Sequence, residues 1–231
     1  MEKYYYLSLD FLSIIFPLMF SFYPKADFSK KWRFLVPAIA IPAVVFIIWD
    51  SWFTSMGVWG FNDRYLTGVR LGNLPIEEVL FFVCIPYACV FTYEAVNYLL
   101  KTPLSRSTTA ITGLMSLVLA ITGGIYIDHW YTSITFIGLV SYLIILYSFR
   151  HTVFLSRFYF AFLFILIPFF IVNGILTGTG LPEPIVWYND SENLGLRMLT
   201  IPVEDTFYGM LLILMNVSIF ELLQQRSNNR S

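Results

Sequence analysis

Two short segments carry the side chains best suited to chemistry. Pro75-Ile76-Glu77-Glu78 and Pro202-Val203-Glu204-Asp205 each set two adjacent acids directly after a proline, and a long apolar run follows each. Proline suits the first turn of a helix, where its missing N–H is not needed. Acids in that turn are favoured by the positive end of the helix dipole. The plain alternative is an acidic, proline-started helix cap, and duplication at corresponding positions counts further against it. Two copies, each opening a very apolar helix, point to proton chemistry. A closely spaced, buried set of carboxyls can hold one member protonated and another ionised at neutral pH, which supplies a general acid and a general base. Neighbouring acids on a helix diverge by ~100°. One of each pair can therefore face a cavity while the other meets a neighbour such as Arg70 or Arg197. We expect Glu77 or Glu204 to donate the proton, with Glu78 or Asp205 as base or partner.

The two segments belong to an internal repeat. At an offset of 127 residues, Phe61-Asn62-Asp63 falls on Tyr188-Asn189-Asp190, and Gly68-Val69-Arg70-Leu71 on Gly195-Leu196-Arg197-Met198. The proline–acid motifs and Glu94 with Glu221 fall in the same register without a gap. Repeats at a fixed period report architecture before any residue-level detail does.

The elements that position these residues are membrane helices. Of the 231 residues, 58% are hydrophobic and 13% charged, whereas a soluble domain carries about a quarter charged residues. That balance excludes a soluble enzyme and a disordered chain. A net charge of -1 with no basic stripe excludes a nucleic-acid partner. Seven spans are expected: 4–23, 34–49, 79–100, 109–127, 131–149, 154–176 and 201–223, with Pro37 and Pro42 kinking a short second one. Longer loops are expected at Asp50–Leu74 and Thr177–Thr200. Ten basic residues fall on one side (Lys25, Lys30, Lys31, Arg33, Lys101, Arg106, Arg150, Arg157, Arg226 and Arg230) and four on the other. The positive-inside rule then puts the N-terminus outside and the C-terminus in the cytoplasm. Met1-Glu2-Lys3 lacks a basic n-region, so no cleavable signal peptide is expected.

The expected fold is all-α, a polytopic membrane bundle of seven helices. Two three-helix repeats, residues 1–100 and 129–231, flank a linker helix within 101–128. One odd crossing between two odd-numbered units restores their direction, so the repeats are parallel and related by an axis along the membrane normal. The acid pairs then lie at the same depth and can face one another.

Leu74-Pro75-Ile76-Glu77-Glu78-Val79-Leu80-Phe81-Phe82 and Ile201-Pro202-Val203-Glu204-Asp205-Thr206-Phe207-Tyr208 resemble the Pro-x-Glu-(Glu/Asp) motifs of the lycopene cyclase domain family. Trp49-Asp50, Trp59-Gly60-Phe61-Asn62 and Asn173-Gly174 are similar to that family too. These are small membrane cyclases, found as two subunits in some bacteria and fused elsewhere, and this chain resembles the fused form. The resemblance implies conversion of lycopene ψ-ends to β-ionone rings, via γ-carotene to β-carotene, with no flavin or other cofactor. It implies Glu77, Glu78, Glu204 and Asp205 as functional acids. The implied partners are lycopene and other carotenoids, membrane lipid and other enzymes of carotenoid biosynthesis, and the implied location is a bacterial cytoplasmic membrane.

Other polar and aromatic residues complete the candidate site. Asp50, Trp59, Asn62, Arg70, Asn173, Asn189 and Arg197 are expected to bind substrate or support the acids. Trp49, Trp52, Trp59, Phe61, Trp187 and Tyr188 serve either as an interfacial belt or as π faces for a cation. Asp10 is open between a structural hydrogen bond and the cavity, Asn216 is read as helix-packing glue, and Glu94 and Glu221 should pair with basic residues at the far end. Cys84 and Cys89, five apart on one helix, should stay unpaired. His129 and His151 fall on opposite sides, so no metal site is expected. No dinucleotide fingerprint, P-loop or Asp-rich diphosphate motif occurs, and the last span lacks the lysine of a retinal protein. Two other classes fit the topology. One is a small transporter with proton-binding acids, against which the scarcity of polar residues counts. The other is a non-catalytic carotenoid- or lipid-binding membrane protein.

Overall fold

The structure, a computed structural model, describes residues 2–24, 27–100 and 107–229. Lys25, Lys101, Arg106 and Arg230 of the charge count lie outside the described residues. Among these residues the chain forms seven α-helices: α1 (Tyr5–Phe20), α2 (Trp32–Met56), α3 (Ile76–Leu99), α4 (Thr108–Ile125), α5 (Trp130–Ser148), α6 (Leu155–Leu176) and α7 (Val203–Asn228). Six of them, α2 to α7, are long and apolar enough to cross a membrane. α1 is the exception at 16 residues, or about 24 Å, against a hydrocarbon core of ~30 Å. Large apolar side chains such as Val36, Ile48, Leu114, Ile144 and Ile167 point outward, a surface suited to lipid.

Helix α2 departs most from expectation. It runs 25 residues and carries Pro37 and Pro42 inside it. It ends at Gly57, whose φ of 73° supplies the left-handed cap that only glycine adopts freely. Asp50, expected to begin a loop, is a buried helical residue. A charged residue ends a hydropathy stretch, but here its partners lie inside the protein.

Packing places α3 and α7 at the centre. α1 lies on α3 and α5 on α7, while α2 packs on α7 and α6 on α3. α4 lies along α5. One continuous apolar core joins these helices, centred on residues such as Phe46, Phe82, Phe158, Leu214 and Phe220.

The helices are capped at one end by short strands that the hydropathy pattern did not reveal. These are β1 (Trp59–Phe61), β2 (Arg70–Leu71), β3 (Leu74–Pro75), β4 (Val186–Tyr188), β5 (Arg197–Met198) and β6 (Ile201–Pro202). β2–β3 and β5–β6 form twin hairpins leading into α3 and α7. Their details recur at the 127-residue offset. Arg70 donates to Asp63 and to the Asn73 carbonyl, and Arg197 donates to Asp190 and to the Thr200 carbonyl. The turn residues Gly72 and Leu199 have φ of 64° and 60°. β1 and β4 pair with each other, antiparallel, with Gly60 opposite Trp187. A Cβ on Gly60 would come within 2.4 Å of the Trp187 ring, so any larger residue here would have to displace that ring.

At the other end, Lys31 pairs with Glu94 and Arg157 with Glu221, the latter at 2.8 Å. Tyr93 also donates to Glu221. The two equivalent acids thus bind bases near the starts of α2 and α6, as expected of them. Cys84 and Cys89 are free.

Candidate active site

The proline–acid motifs sit where the hairpins turn into helices, so each hairpin sets the rotation at which its acids enter the bundle. Pro75 and Pro202 are extended and cap α3 and α7. Within each pair the acids then separate. Glu77 and Glu204 are fully buried, with 0% exposure. Glu77 Oε1 accepts the Thr67 backbone N–H at 2.7 Å. Glu204 Oε1 accepts the Leu194 N–H at 2.8 Å and the Thr132 hydroxyl at 2.6 Å. Thr67 and Leu194 are equivalent positions, so these acids are twin staples tying each hairpin to its helix. Arg70 and Arg197, expected beside the motif acids, instead hold the hairpins through Asp63 and Asp190.

Glu78 and Asp205 face inward and line one cavity of about 630 Å³. That is within the usual range for a small-molecule site. Tyr6 donates to Glu78 Oε2 at 2.5 Å. Asp205 accepts from Tyr131, from Tyr188 at 2.9 Å and from Asn173 Nδ2 at 3.5 Å. An ionised carboxylate only accepts hydrogen bonds, and the donors around Asp205 suit that form. Desolvation, with Asp205 beside it, pushes the Tyr188 phenol well above its ordinary range, so Tyr188 stays a donor. Asp50 also lines the cavity. Its Oδ1 accepts the Trp59 indole N–H at 2.5 Å, while its Oδ2 is buried with no hydrogen-bond partner among the described residues.

Aromatic rings enclose the acids. Tyr131 stacks on Tyr188 with ring centres 5.7 Å apart. Trp59 stands edge-on to Tyr131 at 5.1 Å and to Tyr208 at 6.0 Å. From this box the cavity extends along α1, α3, α6 and α7 as far as Thr92, about 21 Å of helix from Glu78 at ~1.5 Å per residue. Its walls are mainly hydrocarbon, and Leu12, Phe16 and Ile171 at its edge are more than 60% exposed. The cleft therefore opens sideways on the apolar surface.

Of the supporting residues expected from sequence, Asp50, Trp59 and Asn173 reach this cavity, and Asn62, Arg70, Asn189 and Arg197 do not. Asn62 and Asn189 cap the single helical turns Asp63–Tyr65 and Asp190–Glu192. Asn62 also donates to Glu183. Asp10 is buried on α1 outside the cavity lining, and neither of its oxygens has a hydrogen-bond partner among the described residues. Asn216 bonds back to Leu212 of its own helix. His129 and His151 each bond a backbone carbonyl, of Asn193 and Ser218. The sequence reading missed Tyr6, Tyr131 and Tyr208. In a chain that is 19% aromatic, nothing local marks them out.

The class of protein described so far is a membrane-type helical bundle that points carboxyls into an oil-lined cleft. Residues 3–96 and 128–223 match the family described as lycopene cyclase, and the chain belongs to that family. Fungal relatives described as bifunctional lycopene cyclase/phytoene synthase match shorter stretches. That of Phycomyces blakesleeanus is 36% identical over 27% of this chain and 10% of its own length. That of Aspergillus oryzae is 26% identical over 47% and 19%, and that of Pyrenophora tritici-repentis 33% identical over 31% and 12%. The chain thus spans less than a fifth of these relatives. No solved structure matches it.

Proposed function

We propose that the chain is a lycopene β-cyclase, an isomerase that closes the ψ-ends of lycopene into β-ionone rings. The observation that carries this reading is the meeting of Glu78 and Asp205, one from each half of the chain, in a single apolar cleft boxed by Trp59, Tyr131, Tyr188 and Tyr208. Family membership and the names of the fungal relatives support the same substrate.

The reaction needs one proton given and one taken. A protonated carboxyl adds H⁺ to the terminal C=C of the open end and leaves a tertiary carbocation. The next C=C attacks that cation, the ring C–C bond closes, and the charge moves onto a ring carbon. A carboxylate removes the adjacent proton, whose C–H electrons form the ring double bond. Atoms and electrons balance without a redox partner. We assign these transfers to Glu78 and Asp205. Asp205, with its phenol and amide donors, suits the ionised form and the role of base. Glu78, with the single Tyr6 donor, is the acid. This revises the expectation that Glu77 or Glu204 donates, because both are turned onto backbone N–H groups away from the cleft. Asp50 accepts the Trp59 indole N–H at the cavity wall, and the aromatic faces stabilise the cation. Mostly apolar walls keep out water that would trap it, and they disfavour a hydrophilic transport substrate.

The architecture we propose with this function is two parallel three-helix repeats, 1–100 and 129–231, around a linker helix, with α1 as a seventh span. The strand end faces outward, so the N-terminus is outside and the C-terminus cytoplasmic. The named relatives are fungal, so a bacterial cytoplasmic membrane and contacts with other carotenoid enzymes belong to the proposal alone. The purified chain in lipid nanodiscs should convert lycopene to γ- and then β-carotene without added flavin, read by chromatography of the pigments. Unchanged lycopene alongside a folded protein would refute the assignment.

A further inference from the structure

The acids and hairpins repeat at 127 residues, but among the described residues the side chains that fill the space beside them do not. Three positions lining the cleft on α1 and α6 have equivalents on α5 and α2 that are buried core. Leu9 corresponds to Phe136, Leu12 to Leu139 and Asn173 to Phe46. Phe136, Leu139 and Phe46 are buried in the main cluster. The Phe136 ring meets Phe207 at 5.2 Å, and Phe46 packs against Tyr208 at 5.0 Å and Trp49 at 5.4 Å. These rings occupy the volume that is open on the other side. The flank of α5 is also covered by α4, whereas Leu12 on α1 remains exposed at the cleft edge.

Resting on the functional reading above, we propose that the α1–α6 cleft is the binding site for the open half of a linear polyene and that each chain performs cyclisation at this one place. A substrate with two open ends is therefore processed in two visits. The half-cyclised product is released into the lipid, and its remaining end enters the same cleft. Twin acid motifs serve a single site built at their junction, not one site per repeat.

The test supplies isotopically labelled lycopene to the wild-type chain in nanodiscs, together with a tenfold excess of unlabelled γ-carotene. Release between closures dilutes the label reaching β-carotene about tenfold. Labelled β-carotene formed without dilution overturns the inference. The second measurement uses Leu9→Phe, which copies Phe136 into the cleft, and Leu12→Trp, which narrows its exposed edge. Both should slow lycopene and γ-carotene consumption by the same factor, at least tenfold. Loss of one closure with the other intact would mean a second site and overturn the proposal. Because Leu12 is surface-exposed, Leu12→Trp keeps the test decisive if Leu9→Phe does not fold. Failure of the wild-type chain to convert lycopene at all strikes the functional reading and removes this inference with it, whereas normal conversion with undiluted label strikes this inference alone.

Discussion

Adjacent carboxyls of the same chemistry are turned to different surroundings by ~100° of helical rotation. Glu78→Gln or Asp205→Asn should lower β-carotene formation in lycopene-producing cells by at least about 10²-fold, the usual scale for losing a general acid or base. Glu77→Gln and Glu204→Gln retain a carbonyl that can accept the Thr67 and Leu194 N–H groups, so activity should stay within a few-fold of wild type. The reverse pattern would return the donor role to the buried pair. Tyr131→Phe removes an O–H aimed at Asp205. A hydrogen bond to a charged group is worth ~1.5–3 kcal/mol, so the rate should fall by roughly ten- to a hundredfold, read from initial rates of the purified variant. The acids were legible in the sequence because a doubled Pro-x-acid-acid motif is rare in apolar surroundings. Which member of each pair faces the cleft was not, because that depends on the angle at which a hairpin delivers the helix. Tyr6 and Tyr131 were invisible for another reason: their contacts span more than seventy residues.

The hairpins are the elements that set this angle, and their two copies differ at one telling position. Gly72 and Leu199 occupy the same turn with positive φ. A left-handed conformation costs a residue with a Cβ roughly 1–2 kcal/mol. Leu199 is 79% exposed, so little burial offsets that cost. Leu199→Gly should therefore stabilise the protein by about 1 kcal/mol, seen as a higher melting temperature in detergent, whereas Gly72→Leu should lower it. Helix positions were legible from hydropathy to within a few residues, except where buried Asp50 and the aromatic stretch after it masked the last turns of α2. Strands of two or three residues leave no periodic signal, so the cap over the site could not be read in advance.

At the scale of the molecule, each half brings one acid to the cleft and one strand to its cover. A chain cut within residues 101–106 should lose all cyclase activity when either piece is expressed alone, and regain it when both are expressed together in lycopene-producing cells. Activity in one piece alone would contradict a site shared between them. The 127-residue period made the correspondence of the two hairpin segments and their acids legible. The one-sided cleft was not legible, since it arises from which large side chains happen to fill equivalent space. The pairing of β1 with β4 has a consequence for ancestry. Gly60 faces its own counterpart, Trp187, across an antiparallel register, so the contact is self-complementary, as the interface of a two-fold dimer must be. A forebear with a single unit could have closed this cover by joining an identical twin, and gene duplication would then have freed each copy to specialise, one keeping an opening for the oily chain and the other filling it.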